Sequence, residues 1–155
     1  MKYLSTLLTM AAVFGLATTP GCFNRTEAEM GKNCELSKEE KAAEETIETT
    51  VYDMANDKEM YACKKISVTA KPLTVKNTSG HANLFTVLID DNKTISVLYS
   101  SHSGDIIKTT RMETEVDASI KLGKKVKVEG RFNGAFINAE NFTINEVTYT
   151  EIKKN

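Results

Sequence analysis

The sequence predicts a mainly β domain preceded by an amphipathic helix. Three observations carry that prediction. From Lys65 onward apolar residues alternate with polar ones in short runs, such as Ile66, Val68, Ala70 and Ile95, Val97, Tyr99. Turn-forming residues separate the runs, at Asp90-Asp91-Asn92-Lys93 and at Asn133-Gly134. Ahead of them Ala43, Ile47, Val51 and Met54 recur at spacings of three and four, the period of one helix face.

Residues 1–21 read as a signal sequence. Lys2 supplies a positive charge, and Leu4 to Ala17 form an apolar run of 14 residues broken by Ser5, Thr6, Thr9 and Gly15. A spanning helix needs roughly 20 apolar residues, so the run is too short to cross a bilayer. Thr19-Pro20-Gly21-Cys22 then resembles the bacterial lipobox, which places a lipid-accepting cysteine at Cys22. Thr19 stands where that motif usually has Leu. The competing reading is an ordinary secretory signal cut after Ala17, with Gly15 and Ala17 as its small residues. With lipidation, the expected partner is a membrane, reached through an acyl anchor at Cys22. Phe23, rather than Asp, follows the cysteine. That favours a bacterial envelope location on the outer membrane, facing the periplasm.

Residues 22–36 read as a polar tether without an apolar period. Residues 37–62 form the N-terminal helical segment. Ser37-Lys38-Glu39-Glu40 matches a capping box, in which hydroxyl and carboxylate satisfy orphan amide donors reciprocally. Asn56-Asp57 ends or bends the helix. This segment is acidic, with nine acidic and four basic side chains over residues 32–61. The remainder is mildly basic, and a solvated surface accounts for the difference better than a polyanion site does.

Residues 63–152 carry the strands. Ile66, Val68 and Ala70 open the first, and Leu73 and Val75 follow Pro72. Residues 83–100 read as a hairpin around Asp90 to Lys93. Residues 102–122 are ambiguous in period, with Asp117 placed to cap a short helix ending at Leu122-Gly123. Val126, Val128 and Gly130 make the next strand. Asn133-Gly134 then predicts a type I′ turn, because both residue types accept positive φ. Phe136 to Ile144 returns from it, and Val147 to Ile152 extends the edge.

A strand, a hairpin, a connection that holds a helix and a second hairpin follow the order of an OB-fold. Leu122-Gly123-Lys124-Lys125-Val126-Lys127-Val128-Glu129-Gly130 resembles the Gly-x-x-Val-x-Val-x-Gly pattern of a fourth OB strand. Ile66 to Ala70 resembles the opening strand, with Ala70 where Gly is usual. The helix followed by Met60-Tyr61-Ala62-Cys63-Lys64-Lys65 is similar to bacterial OB lipoproteins of the tRNA-anticodon-binding-like family. The resemblance covers roughly residues 40–148. It implies a five-stranded Greek-key barrel with ligands on the face of its second and third strands. There it offers Phe85, Tyr99, Lys93 and His102, with His81 and Lys108 nearby.

Cys34 and Cys63 remain once Cys22 carries lipid, an even number suited to an oxidising compartment. A straight helix from Lys38 to Tyr61 would span about 36 Å and keep them apart. A bond between them requires the helix to stop near Asn56-Asp57; otherwise both are free thiols. Cys34, Cys63, His81 and His102 match no zinc spacing, so no metal or other cofactor is expected. Ser101-His102-Ser103-Gly104-Asp105 holds triad residue types, but sequence neighbours point apart. Phosphate loops and dinucleotide fingerprints are absent from the sequence. The expected function is a non-catalytic binding or assembly module of the envelope, with an envelope protein as partner. One alternative is an OB domain binding single-stranded nucleic acid or oligosaccharide through Phe85 and Tyr99. Against nucleic acid stands the rarity of that ligand at a lipid-anchored envelope protein. Another alternative is a secreted enzyme with a dispersed site.

Overall fold

A computed structural model describes residues 34, 44–78, 82–101 and 104–151. Residues 1–21 expected to be a signal sequence, Cys22, the capping box expected at Ser37, His81 and His102 lie outside the described residues.

The predicted helix is replaced in part by a strand. Ile47–Thr49 is β1, paired parallel with β2 (Lys65–Thr78) through Ile47↔Ile66 and Thr49↔Val68. The run Thr46-Ile47-Glu48-Thr49-Thr50-Val51 explains why. Five of its six side chains are β-branched, which lose rotamer freedom in a helix and pack well on a pleated edge. Among the described residues, helix begins at α1 (Val51–Asn56), where Thr50 accepts a hydrogen bond from the Asp53 amide at 3.0 Å. Val51 and Met54 are fully buried. Asp57 ends α1 and caps α2 (Lys58–Tyr61), accepting from the Met60 amide at 3.1 Å.

Strand β2 is continuous through Pro72, with a bulge between Pro72 and Thr74. Its first half pairs with β5 (Val126–Phe132) and its second half with β3 (Asn83–Asp90). β3 pairs with β4 (Lys93–Ser100), and β4 runs parallel to β6 (Phe136–Ile144), which pairs with β5. The circuit β2-β3-β4-β6-β5 therefore closes on itself. With a parallel β4–β6 pair and a helix between β4 and β5, it is an OB-like barrel. Two further strands cover edges the five leave open: β1 along the first half of β2, and β7 (Val147–Thr150) along the second half of β6.

Helix α3 (Ile106–Leu122) is longer than the short helix expected, and Asp105, not Asp117, caps it, accepting from the Lys108 amide at 2.9 Å. Asp117 instead pairs with Lys121 one turn on, at 2.6 Å. The helix escapes the hydrophobic period because its buried stripe is half polar: Thr109, Met112, Val116 and Ser119. The two hydroxyls bond back to the helix, Thr109 to Asp105 and Ser119 to Glu115. Gly123 closes α3 at φ +64. α3 lies mainly on β2, and α1 covers β4 and β3.

The Asn133-Gly134 turn joins β5 to β6, but not as type I′. Only Gly134 has positive φ there. Asn133 Oδ1 accepts from the amides of Ala135 and Phe136, at 2.9 and 2.8 Å, which builds a three-residue loop. Paired positive φ values occur instead at Asp91-Asn92 and Asn145-Glu146, the turns of the β3–β4 and β6–β7 hairpins.

Candidate binding face

Alternation on the β3–β4 hairpin separates the two predicted rings. Leu84, Thr86 and Leu88 point into the barrel, and so do Ile95, Val97 and Tyr99. Phe85 lies between inward positions and is 43% exposed. Tyr99 is fully buried, and its hydroxyl donates to the Thr150 carbonyl at 3.2 Å. Lys108 Nζ donates to the same carbonyl and sits 5.7 Å from the Tyr99 ring centroid. Tyr99 and Phe85 thus occupy opposite faces of one sheet and cannot form a joint platform. Tyr99 is a core residue that ties β4 to β7 and α3. Lys93 is exposed at the far end of the hairpin. It stands five residues along β4 from Leu98, the partner of Phe85, or about 17 Å.

The structure brings other residues around Phe85. Its neighbours across the ladder are Lys76 on β2 and Leu98 on β4. The next outward row is Thr74, Val87 and Ser96. Leu73, the extra residue of the bulge, is 48% exposed. The outer face of β2–β4 therefore carries a ring and a leucine in water, half-buried Val87 and Leu98, and the Lys76 ammonium. Val87 was legible beside Phe85 from the alternation. Leu73 and Lys76 were not, because the bulge shifts the period of β2 by one residue.

The charged groups with displaced titration lie on other surfaces. On β5, Lys127 holds the Glu129 carboxyl below its ordinary value, helped by Asn141, which donates at 3.2 Å. The same hydrogen bond from Lys127 raises the lysine. Burial, and then the Glu115 carboxylate, raise the Tyr149 phenol. Among the described residues no three His, Cys, Asp or Glu side chains gather as a metal site.

At the start of β2 the preceding chain is fastened to the barrel. Cys34 and Cys63 form a disulfide with Cα atoms 5.1 Å apart. The Cys63 amide donates to the Phe132 carbonyl at 2.6 Å. Glu44 pairs with Arg131 and accepts from the Lys65 amide at 2.9 Å.

No protein-family model and no curated protein matches the chain. Solved structures with partial likeness include a protein assigned as an aspartyl-tRNA synthetase from Leishmania major Friedlin. It is 15% identical with a TM-score of 0.44, over 79% of this chain and 24% of that one. TiaS in a complex with a tRNA and ATP is 13% identical with a TM-score of 0.38, over 64% and 21%. Asparaginyl-tRNA synthetase from Pyrococcus horikoshii complexed with asparaginyl-adenylate is 17% identical with a TM-score of 0.34, over 57% and 20%. The chain thus spans about a quarter or less of the length of these proteins.

Proposed function

We propose that this protein is a lipid-anchored envelope module that binds another envelope protein through the outer face of β2–β4, without catalysis. The observation that carries the reading is the exposure of Phe85 and Leu73 on a sheet whose other face is sealed in the core. An aromatic ring beside a leucine, rimmed by polar side chains, suits the centre of a protein contact. The anchor at Cys22 and a periplasm-facing outer-membrane location belong to the same proposal, resting on Gly21-Cys22 after a short apolar run.

Binding of single-stranded nucleic acid or oligosaccharide is the alternative. Stacking platforms use successive aromatic side chains, and with Tyr99 inside the barrel Phe85 stands without its second ring. A photo-crosslinking residue at position 85, expressed in a bacterial envelope, tests the proposal. Adducts to one discrete protein, lost with Leu73→Ser, are expected. Saturable binding of an oligonucleotide or oligosaccharide, abolished by Phe85→Ser, would assign the alternative instead.

A further inference from the structure

Helix α3 presents a second surface that neither the barrel core nor the Phe85 face uses. Ile107 is 85% exposed, and at 3.6 residues per turn it lies opposite the buried stripe of Thr109, Met112, Val116 and Ser119. Within about 60° of Ile107 around the helix axis fall Thr110, Arg111, Thr114, Ala118, Lys121 and Leu122. That face holds no carboxylate. The acids of the helix are on its flanks and engaged: Glu113 accepts from the Asn77 amide, Glu115 pairs with Arg111, and Asp117 pairs with Lys121.

Large apolar side chains mark both ends of the face. Ile107 stands at the first turn, and Leu122, 68% exposed, at the last, about 22 Å away. Beyond Leu122 the chain turns at Gly123 into exposed Lys124 and Lys125. Lys124 reaches Asn145 at 3.3 Å, which brings the β6–β7 turn and its exposed Val147 to the same end. Glu146 is the one acid in that turn. Exposed isoleucine and leucine on the helix, with an exposed valine and lysines beside its last turn, are side-chain types that enter a bilayer interface.

We propose that the solvent face of α3 docks on a membrane surface carrying anionic phospholipid headgroups. Ile107 and Leu122 enter the interface, Lys124 and Lys125 meet the phosphates, and Lys121 joins them by exchanging its exposed, weakly held pair with Asp117 for a phosphate. This rests on the envelope reading above, to which it adds an orientation: an acyl tether localises a domain but leaves its facing open. The reach is sufficient. Cys34 is held at Cys63, beside Phe132 at the end of β5, whereas α3 leads into the start of β5. Seven residues of β5 span about 23 Å. Twelve residues from Cys22 to Cys34 reach up to about 40 Å, so anchor and helix can share one bilayer.

The chain holds no tryptophan, so a single one reports its own surroundings. The chain from residue 22 onward, with Cys22→Ser so that it takes no acyl group, is given Ile107→Trp, or Lys93→Trp at the opposite end of β4 from the connection into α3. Each is titrated with phosphatidylglycerol vesicles and with phosphatidylcholine vesicles. A blue shift of the fluorescence at position 107 alone, with phosphatidylglycerol alone, is expected. Lys121→Glu with Lys124→Glu should weaken binding by about tenfold or more, as should added salt. No shift at position 107, an equal shift at position 93, or charge reversals without effect would overturn the proposal. Acyl labelling of the full chain is scored separately. Its failure removes the anchor at Cys22, whereas a failed vesicle titration with labelling intact removes only the α3 contact.

Discussion

Glu44 and Arg131 meet head to head across 87 positions of sequence, both nitrogens of the guanidinium fork on one carboxylate. Their side chains are 19% and 14% exposed. Arg131 also donates to the Cys63 carbonyl and Glu44 accepts from the Lys65 amide, so the pair locks the chain before β1 to β2 and β5 at once. Arg131→Ala leaves that carboxylate half-buried without its partner. A loss of about 2–3 kcal/mol in urea unfolding is expected. The double variant Glu44→Leu/Arg131→Leu should lose less than the two single changes added together. Strict additivity would show that the pair is not coupled.

Gly130 allows β5 and β6 to touch. A Cβ there would stand 2.1 Å from the Asn138 carbonyl oxygen and 2.8 Å from the Ala139 Cα, both backbone atoms that cannot rotate away. Gly130→Ala should lower stability by about 2–3 kcal/mol, since the strands must part at a bulge already present between Glu129 and Gly130. A thermal midpoint equal to the parent's would contradict the close approach.

The Cys34–Cys63 bond joins cysteines 29 positions apart and closes a loop around β1, α1 and α2. Loop entropy gives it about 3–4 kcal/mol. Reductant should lower the parent's unfolding free energy in urea by that amount and leave Cys34→Ser/Cys63→Ser where it already stands. Thiol titration of the denatured, unreduced chain should find neither cysteine reactive.

Alkaline stability should depend on Tyr149. Burial and Glu115 raise its phenol, so the native state holds that proton more tightly than the unfolded chain does. Such a group favours folding below its unfolded value of about 10, and the contribution is lost as pH rises through the native value. Between about pH 9 and pH 11 the parent should lose stability more steeply than Tyr149→Phe. Parallel curves would count against it.

Much of the barrel was readable from period and turns. Alternation puts Ile66 with Val68, Ile95 with Val97, and Val126 with Val128 on shared strand faces, and all six are buried. From Thr46 to Val51 the helical spacing of Ile47, Val51 and Met54 coincides with a β-branched run, so period alone points to helix where the chain forms β1. The strand wins by pairing with an edge of β2, a partner invisible locally. α3 hid behind Thr109 and Ser119, whose hydroxyls return to their own helix. At the candidate face, alternation identified Phe85's side of the strand. Whether that side was inner or outer depended on how the sheet closes, and so did the fate of Tyr99.

That closure also sets an order of events in time. The ladder that seals the barrel joins residues 65–70 to residues 126–131. A chain emerging N-terminus first, from a ribosome or through a translocation pore, can form the β3–β4 hairpin early. It cannot seal the barrel until β5 has followed, and such distant pairing is slow. During that interval β2 has only local partners, and its unsealed edge is open to a chaperone, to a protease or to another copy of itself.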